Sequence, residues 1–569
     1  MTETLNRWLK VLKIVTIGMS LRLVVSCCAQ QTNFEEPSVE SVLSSMTVPT
    51  VQGTANGIQP SQPVESSKYE WWTFPATHSL RPDKETIPID INSLIFDALT
   101  NSAKIQAISD NVGIAETGVA TAYASFDPRL FMESKFNRVN IPTGSSLDAG
   151  FNVNRLIEKN WYYSGGMRRR NVQGGKWEFS QRYGTKDSSS QFFIPANQGN
   201  SRLSLSYTQP LLNGAGTAYN RSLIVLAKLD TKIATDNTIA ELQDYLLTVM
   251  ETHWDLYRQR TWSLQKKINL ERAQDILKHL NQRRSLDSYE SQIAQVQAAV
   301  TIRVAELVQA ETFIRNAESR LRAMINSPIL LDNRDAELVP IESPTRYPFL
   351  VSTPDALVTA MERRAEVDQA IREIEAGRVR LDVARNELLP VLDVVLESYL
   401  SGLRGRYDVG QAWVDQFSTG GPSYTAGLVF EVPLGRRAGK AQQQRREIEL
   451  RQLANQFRAL TLSISSDVEI AVRDVDTAFR LMLAKEQSVI AANANAHYFH
   501  RRWELLPGED RSATFLLQDL LDAQDRLATQ EDNFVQSQIA YVMSMARFKR
   551  ATGQLLQCES VNPSQANPL

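Results

Sequence analysis

Two very long stretches of this chain, Gly214 to Arg284 and Ala438 to Leu506, contain no proline at all. At 1.5 Å per residue, a continuous helix of either length would reach on the order of 100 Å. No compact domain needs a helix that long, so the chain is built to span a distance. Each stretch also follows the same series of elements, a helix and then two alternating segments, and each is followed by one shorter helix. The order helix, strand, strand, helix, helix thus occurs twice, and an internal duplication of this kind constrains the fold more than any single motif.

The first copy starts at Asp90, with Leu94, Ala98, Ile105, Ile108, Val112, Ala115 and Val119 at helical spacing as far as Asp127-Pro128. Leu130, Met132, Ser134 and Phe136 then alternate with Glu133, Lys135 and Asn137, predicting a strand at about 128–138. Leu203, Leu205 and Tyr207 alternate with Ser204, Ser206 and Thr208, predicting a second at about 201–210. Between them, Ile141 to Asn200 reads as a long polar insert. After the first long helix and a break near Ser285-Leu286-Asp287, Ile293, Val296, Val300, Val304, Leu307, Ala310, Ile314, Ala317, Leu321 and Met324 form a coiled-coil seam ending at Ser327-Pro328.

Residues 331–353 read as a connector, and the second copy occupies 354–556. It opens with a helix to Leu388, followed by strands at about 391–400 and 423–433 around a Gly-rich loop, Gly402 to Gly421. The second long helix breaks at Pro507-Gly508, a last helix runs from Ser512 to Gly553, and 557–569 is a tail. The first structural repeat accordingly covers 89–330.

Each strand has the length and period of a tilted transmembrane β-strand. An open four-stranded sheet leaves unpaired backbone groups that lipid cannot satisfy, so several copies must pool their strands into one barrel. Pro128, Pro210, Pro390 and Pro433 sit at helix–strand boundaries, where a missing N–H is tolerated. The fold class expected is mainly α with membrane β-strands, the barrel being continued by a coiled-coil tube.

Composition removes other classes. With 62 Lys and Arg against 64 Asp and Glu, the net charge of −2 offers no pull toward nucleic acid. The three cysteines, Cys27, Cys28 and Cys558, cannot build a disulfide framework or a four-ligand zinc site, and the five histidines never cluster with them. No phosphate-binding loop, zinc-protease or paired-cysteine motif is present, and Gly402-Leu403-Arg404-Gly405 is read without a strand-turn-helix context. No cofactor and no enzymatic activity are expected.

At the N-terminus, Arg7, Lys10 and Lys13 precede an apolar run from Ile14 to Ser26, the order of a secretory signal. Val24-Val25-Ser26-Cys27 resembles a bacterial lipobox, which makes Cys27 the lipidation candidate and 1–28 the signal segment. An ordinary signal peptide cut nearby, or an uncleaved segment, is the alternative, and Arg22 interrupts the apolar run. Residues 29–88, rich in Ser, Pro, Gln and Thr, read as a flexible tether.

The segments Gln209-Pro210-Leu211-Leu212-Asn213-Gly214 and Val432-Pro433-Leu434-Gly435 each close a strand and open a long helix. Together with Leu389-Pro390 and the Ala-rich returns ending in Leu321 and Gly553, they resemble the TolC-like outer-membrane efflux protein family over about residues 90–556. The resemblance implies a homotrimer with a 12-stranded β-barrel in outer-membrane lipid and a periplasmic α-helical tunnel. It also implies a passive efflux or export duct of a tripartite efflux or type I secretion system, with a periplasmic adaptor (membrane fusion protein) and an inner-membrane pump as partners. Lipidated N-termini are common in that family. The competing reading is a periplasmic adaptor or structural coiled-coil lipoprotein, for which two helical hairpins and four membrane-length strands are too many.

Within Leu517-Gln518-Asp519-Leu520-Leu521-Asp522-Ala523, the resemblance implies an acidic ring at the periplasmic entrance made by Asp519 and Asp522. Three residues apart, both carboxylates lie on one helix face, and three chains would bring six negative charges round a pore. The alternative is that they complement the helix macrodipole or face water. Asp287 and Glu290 occupy the comparable turn of the first repeat, with capping as their simpler role. Arg511, beside Arg501 and Arg502, is a candidate gate contact, as is Glu290; a solvated charge cluster is the alternative. Arg168-Arg169-Arg170 with Trp161, Tyr162, Tyr163 and Trp177 reads as a solvated extracellular loop, or as a contact for lipopolysaccharide phosphates.

Overall fold

The computed structural model describes residues 70–151, 153–283, 290–419, 421–505 and 511–556. In chain order the main elements are β1 (Thr86–Ile89), α1 (Ile91–Asn101), α2 (Ala103–Tyr123), β2 (Arg129–Pro142), β3 (Arg155–Arg170), β4 (Lys176–Ser188), β5 (Asn197–Pro210), α3 (Thr217–Gln282) and α4 (Glu290–Ile325). They continue with β6 (Glu337–Pro340), α5 (Thr353–Arg363), α6 (Ala365–Glu387), β7 (Val391–Gly405), α7 (Val409–Ser418), β8 (Ser423–Glu431), α8 (Arg437–Leu505) and α9 (Arg511–Ala551).

The duplication is visible element by element. The 66 residues of α3 correspond to the 69 of α8, and the 36 of α4 to the 41 of α9. Each long helix is therefore about 100 Å of continuous α-helix. The single helix expected from Asp90 to Asp127 is in fact two, α1 and α2, because Ser102 is extended (φ −68, ψ 120). Arg364 makes the same break between α5 and α6 (φ −74, ψ 124). Neither break carries a proline or glycine, which is why helical periodicity runs through it unmarked. Asp90 caps α1, accepting from the Ser93 amide at 3.3 Å while the Ser93 hydroxyl serves the Asp90 backbone.

The strand count is the main correction. Residues 141–200, expected as a polar insert, contain β3 and β4 of an antiparallel sheet with the order β2-β3-β4-β5-β7-β8. The chain supplies six strands to that sheet, two more than the four expected from the sequence. The second correction concerns the tether, which was expected to reach residue 88. Trp72 is buried, the Trp71 indole donates to Glu531 at 3.0 Å, and β1 pairs in parallel with β6 inside the expected connector.

The core is a seam between the two repeats. Trp254 and Tyr257 of α3 meet Ile464, Val468, Val475 and Met482 of α8 and Phe534, Val535 and Tyr541 of α9. Where the strap 70–89 crosses α3, the fully buried Arg260 pairs with Glu337 and donates to the carbonyls of Ala76 (2.8 Å) and Leu338 (3.2 Å). Glu337 also accepts from Ser79 Oγ (2.9 Å) and from the amides of Leu80 and Arg81 (3.0 Å each).

Candidate functional site

Pleating sends alternate side chains to opposite faces, and the register lets each face be followed across all six strands. One face carries Leu130, Met132 and Phe136 on β2, opposite Met167, Gly165 and Trp161 on β3. It continues through Trp177 and Phe179 to Tyr207 and Leu205, then to Leu396, Val394 and Leu392, and ends at Leu428 and Phe430. These apolar side chains are open to the surroundings: Leu130 is 85% exposed, Met132 88%, Leu428 72% and Tyr424 86%. Those values belong to the two edge strands; on the inner strands the same face is less open, with Trp161 at 47%, Phe179 at 47% and Leu396 at 45%, and a largely apolar, partly open face of this kind suits strands that meet lipid.

The other face is polar and internally paired. Arg168 of β3 bonds Glu178 of β4 at 2.9 Å, Lys186 of β4 reaches Glu158 of β3 at 3.0 Å, and Arg202 of β5 reaches Glu397 of β7 at 3.1 Å. Arg168, Arg169 and Arg170, expected in an extracellular loop, therefore lie in a strand, at the end nearest the helices. Arg170 donates to Asn220 on α3.

The Gly-rich loop of the second repeat, expected to lack strand-turn-helix order, contains α7 directly after β7. The N-terminus of α7 is occupied by its own Asp408, whose carboxylate accepts from the Gln411 amide at 2.9 Å. A Cβ on Gly402 would lie 1.9 Å from the Ala412 carbonyl, so only glycine lets α7 rest on the sheet here. Ser201 donates to Gln416 at 2.8 Å, and exposed Trp413, Val414 and Phe417 extend the apolar face.

At the far end of the long helices, Leu517, Leu520 and Leu521 of α9 pack with Ile276 and Leu280 of α3 and Val296 of α4. Gln292 donates to Thr514 at 3.4 Å and Gln295 donates to Gln518, so the first turns of α4 and α9 lie side by side. Asp519 is exposed and Asp522 half-buried, on the face of α9 opposite the leucines, where Gln518 donates to Asp522 at 2.9 Å. Glu290 opens α4 as an exposed side chain, and Arg511 opens α9, its side chain lying outside the described residues. Arg502 donates to the Tyr498 hydroxyl at 3.3 Å near the end of α8. Cys27 and Asp287 also lie outside the described residues.

A tie that sequence reasoning missed stands one turn further along. Arg303 of α4, 3% exposed, donates to the Asn269 carbonyl of α3 (2.8 Å), to Gln524 Oε1 (3.0 Å), to Asp525 Oδ1 (2.8 Å) and to the Leu521 carbonyl (3.4 Å). Asn269 adds a bond to Asp525 at 2.9 Å. Burial draws the guanidinium pKa down, opposed by the Asp525 carboxylate. One side chain thereby joins three helices just inside the acidic pair. Its only sequence signal was an arginine on the apolar side of the α4 seam.

Among the described residues no group of three or more His, Cys, Asp or Glu is placed to hold a metal, and no helix is long and apolar enough to cross a membrane. No protein-family model matches the sequence, and no curated protein matches it. Solved structures do match. The outer-membrane channel OprN superposes with a TM-score of 0.57 at 14% identity, over 82% of this chain and 90% of its own. The outer membrane protein VceC from Vibrio cholerae gives 0.55 at 15%, over 80% and 96%. The Campylobacter jejuni CmeC outer membrane channel gives 0.58 at 13%, over 87% and 94%. With the two-faced sheet, the repeated long helices and these superpositions together, the chain has the fold of the TolC-like outer-membrane channels.

Proposed function

We propose that the chain is one subunit of a homotrimeric outer-membrane duct, a passive path for export that extends into the periplasm, and that it has no catalytic role. The observation that carries this reading is one sheet, apolar on one face and ion-paired on the other, joined at its lower end to helices about 100 Å long. Such a sheet suits a wall between lipid and water, and the helices suit a tube beyond it. The sheet's two free edges, on β2 and β8, must be closed by neighbouring copies in lipid.

In this reading Asp519 and Asp522 line the entrance, Glu290 and Arg511 stand beside it as gate contacts, and Cys27 carries the lipid anchor. The helical ends face a periplasmic adaptor and an inner-membrane pump, in a tripartite efflux or type I secretion system. A soluble adaptor or a structural coiled-coil lipoprotein has no use for an open apolar sheet face. Extraction from outer membranes in mild detergent, followed by mass measurement, is expected to give three chains per particle. A stable, monodisperse monomer would sink the proposal.

A further inference from the structure

The inserted residues 141–200 prompt a second conclusion, about the width of the duct. We infer that the β3–β4 hairpin is part of the membrane-spanning wall, so that three copies close a barrel of eighteen strands. This rests on the reading of the chain as a trimeric outer-membrane duct and deepens it.

Length comes first. A tilted strand needs about 9–11 residues to cross a bilayer. β3 has 16 residues and β4 has 13. They are paired throughout: β3 is in register with β2 from Arg155 to Arg168 and with β4 from Glu158 to Arg170, and β4 with β5 from Lys176 to Asp187. β2 and β5 are not neighbours, so the hairpin occupies the wall between them. A hairpin folded above the membrane would leave β2 and β5 side by side.

The faces agree with the pairing. Trp161, Tyr163, Met167 and Phe179 fall on the face of Leu130, Met132 and Leu205, while Ser164, Arg168, Glu178 and Ser180 fall on the polar one. Aromatic rings collect at both margins of the apolar band, as at the interfaces of a membrane barrel. Phe136, Trp161 and Tyr163 form the upper cluster, with centroids 6.4 and 5.1 Å apart, and Trp177 and Tyr207 lie tilted against each other at 4.2 Å nearer the helices.

The lower turn of the hairpin is fastened where the barrel meets the tube. Asn171 donates its amide to the Gly175 carbonyl at 2.8 Å, and the Gly216 amide reaches the Gln173 carbonyl at 3.3 Å. Gly174 has φ +97, and a Cβ there would meet the Gly214 carbonyl at 2.5 Å, so the turn is pressed against the strand-to-helix junction. An inserted antiparallel pair also preserves the up-and-down order. β2 leaves the helices and β8 returns to them, so β8 of one copy can still pair with β2 of the next.

With strands roughly 4.8 Å apart and tilted by about 40°, twelve close a ring roughly 24 Å across and eighteen a ring roughly 36 Å across, backbone to backbone. The cross-section roughly doubles, which suits bulkier cargo than a twelve-stranded wall would pass.

The test uses the full chain in its assembled form, with Cys28 and Cys558 changed to serine and single cysteines carrying an environment-sensitive fluorophore. The parent without an added cysteine serves as the blank. In vesicles of brominated phosphatidylcholine, labels at Met167→Cys and Phe179→Cys are expected to be quenched at least twofold, as are those at Met132→Cys and Leu428→Cys. Labels at Ser164→Cys and Ser180→Cys are expected to stay within experimental error of unbrominated vesicles. Quenching at 132 and 428 without quenching at 167 and 179 would overturn the eighteen-strand wall and leave the duct reading standing. No quenching at any position would overturn both. An image of the unmodified assembly gives an independent measure, and a ring nearer 24 Å than 36 Å across would also overturn the inference.

Discussion

Replacing Arg303 with methionine is expected to loosen the ends of the helices far from the sheet while leaving the sheet untouched. Methionine keeps most of the apolar stem and helix propensity but removes every donor. Asp525 is 59% exposed, so its ion pair is screened by solvent and is worth no more than about 1 kcal/mol. Gln524 is 5% exposed and would lose a charged donor, at a cost of about 1–2 kcal/mol. The carbonyls of Asn269 and Leu521 lie inside helices and keep their own amide partners, so each would lose only a weak second bond. Together these come to about 2–3 kcal/mol, which corresponds to a roughly 30- to 150-fold rise in local opening. Hydrogen–deuterium exchange on the assembled protein reads this directly, in peptides covering 265–282 and 515–530, with peptides from β5 and β7 as the control. Asp525→Asn keeps an acceptor for Arg303 and is expected to change exchange by less than about fivefold. A change below threefold in Arg303→Met, or an equal change in the sheet, would refute the idea that this side chain ties the three helices together.

Four further outcomes are expected. Breaking the buried pair with Arg260→Met leaves Glu337 charged and enclosed, at about 3–5 kcal/mol, and thermal dissociation is expected to regain most of that in Arg260→Met/Glu337→Leu. Burial pushes His253, fully enclosed with both ring nitrogens unpartnered, down to about 4. Its contribution is therefore complete above about pH 6.5 and is lost as pH falls toward 4, by up to about 3 kcal/mol; His253→Leu is expected to flatten that part of the melting-temperature profile, and an unchanged profile would exclude it. Neutralising Asp519→Asn with Asp522→Asn is expected to reduce cation preference in planar-bilayer conductance with assembly intact, and unchanged selectivity would remove both from the pore. Cys27→Ser is expected to abolish incorporation of a labelled fatty acid, and surviving label would exclude the lipid anchor.

The helical scaffold was legible because proline stands near most of its ends and apolar steps of three and four mark its buried faces, so α3, α4, α8 and α9 could be placed from one dimension. The inserted strands were not legible for the same reason in reverse. β3 carries an aromatic on its polar face, Tyr162, two adjacent glycines and the run Arg168 to Arg170, which together blur the alternation. What makes those charges acceptable in the sheet is their partners across the ladder, Glu178 for Arg168 and Glu158 for Lys186, and a partner on another strand is invisible until the register is known. Arg303 posed the same problem over a longer distance, since its acceptors lie more than two hundred residues away on α9 as well as on α3. Trp71 and Trp72 fall in the stretch read as a polar tether, and the surface they pack against belongs to α3 and α9, far away in the sequence. A sequence shows which face of an element is apolar. It does not show what that face meets, and in this chain the unexpected features all depend on such meetings: the two extra strands of the sheet, the strap over α3 and the Arg303 tie between three helices.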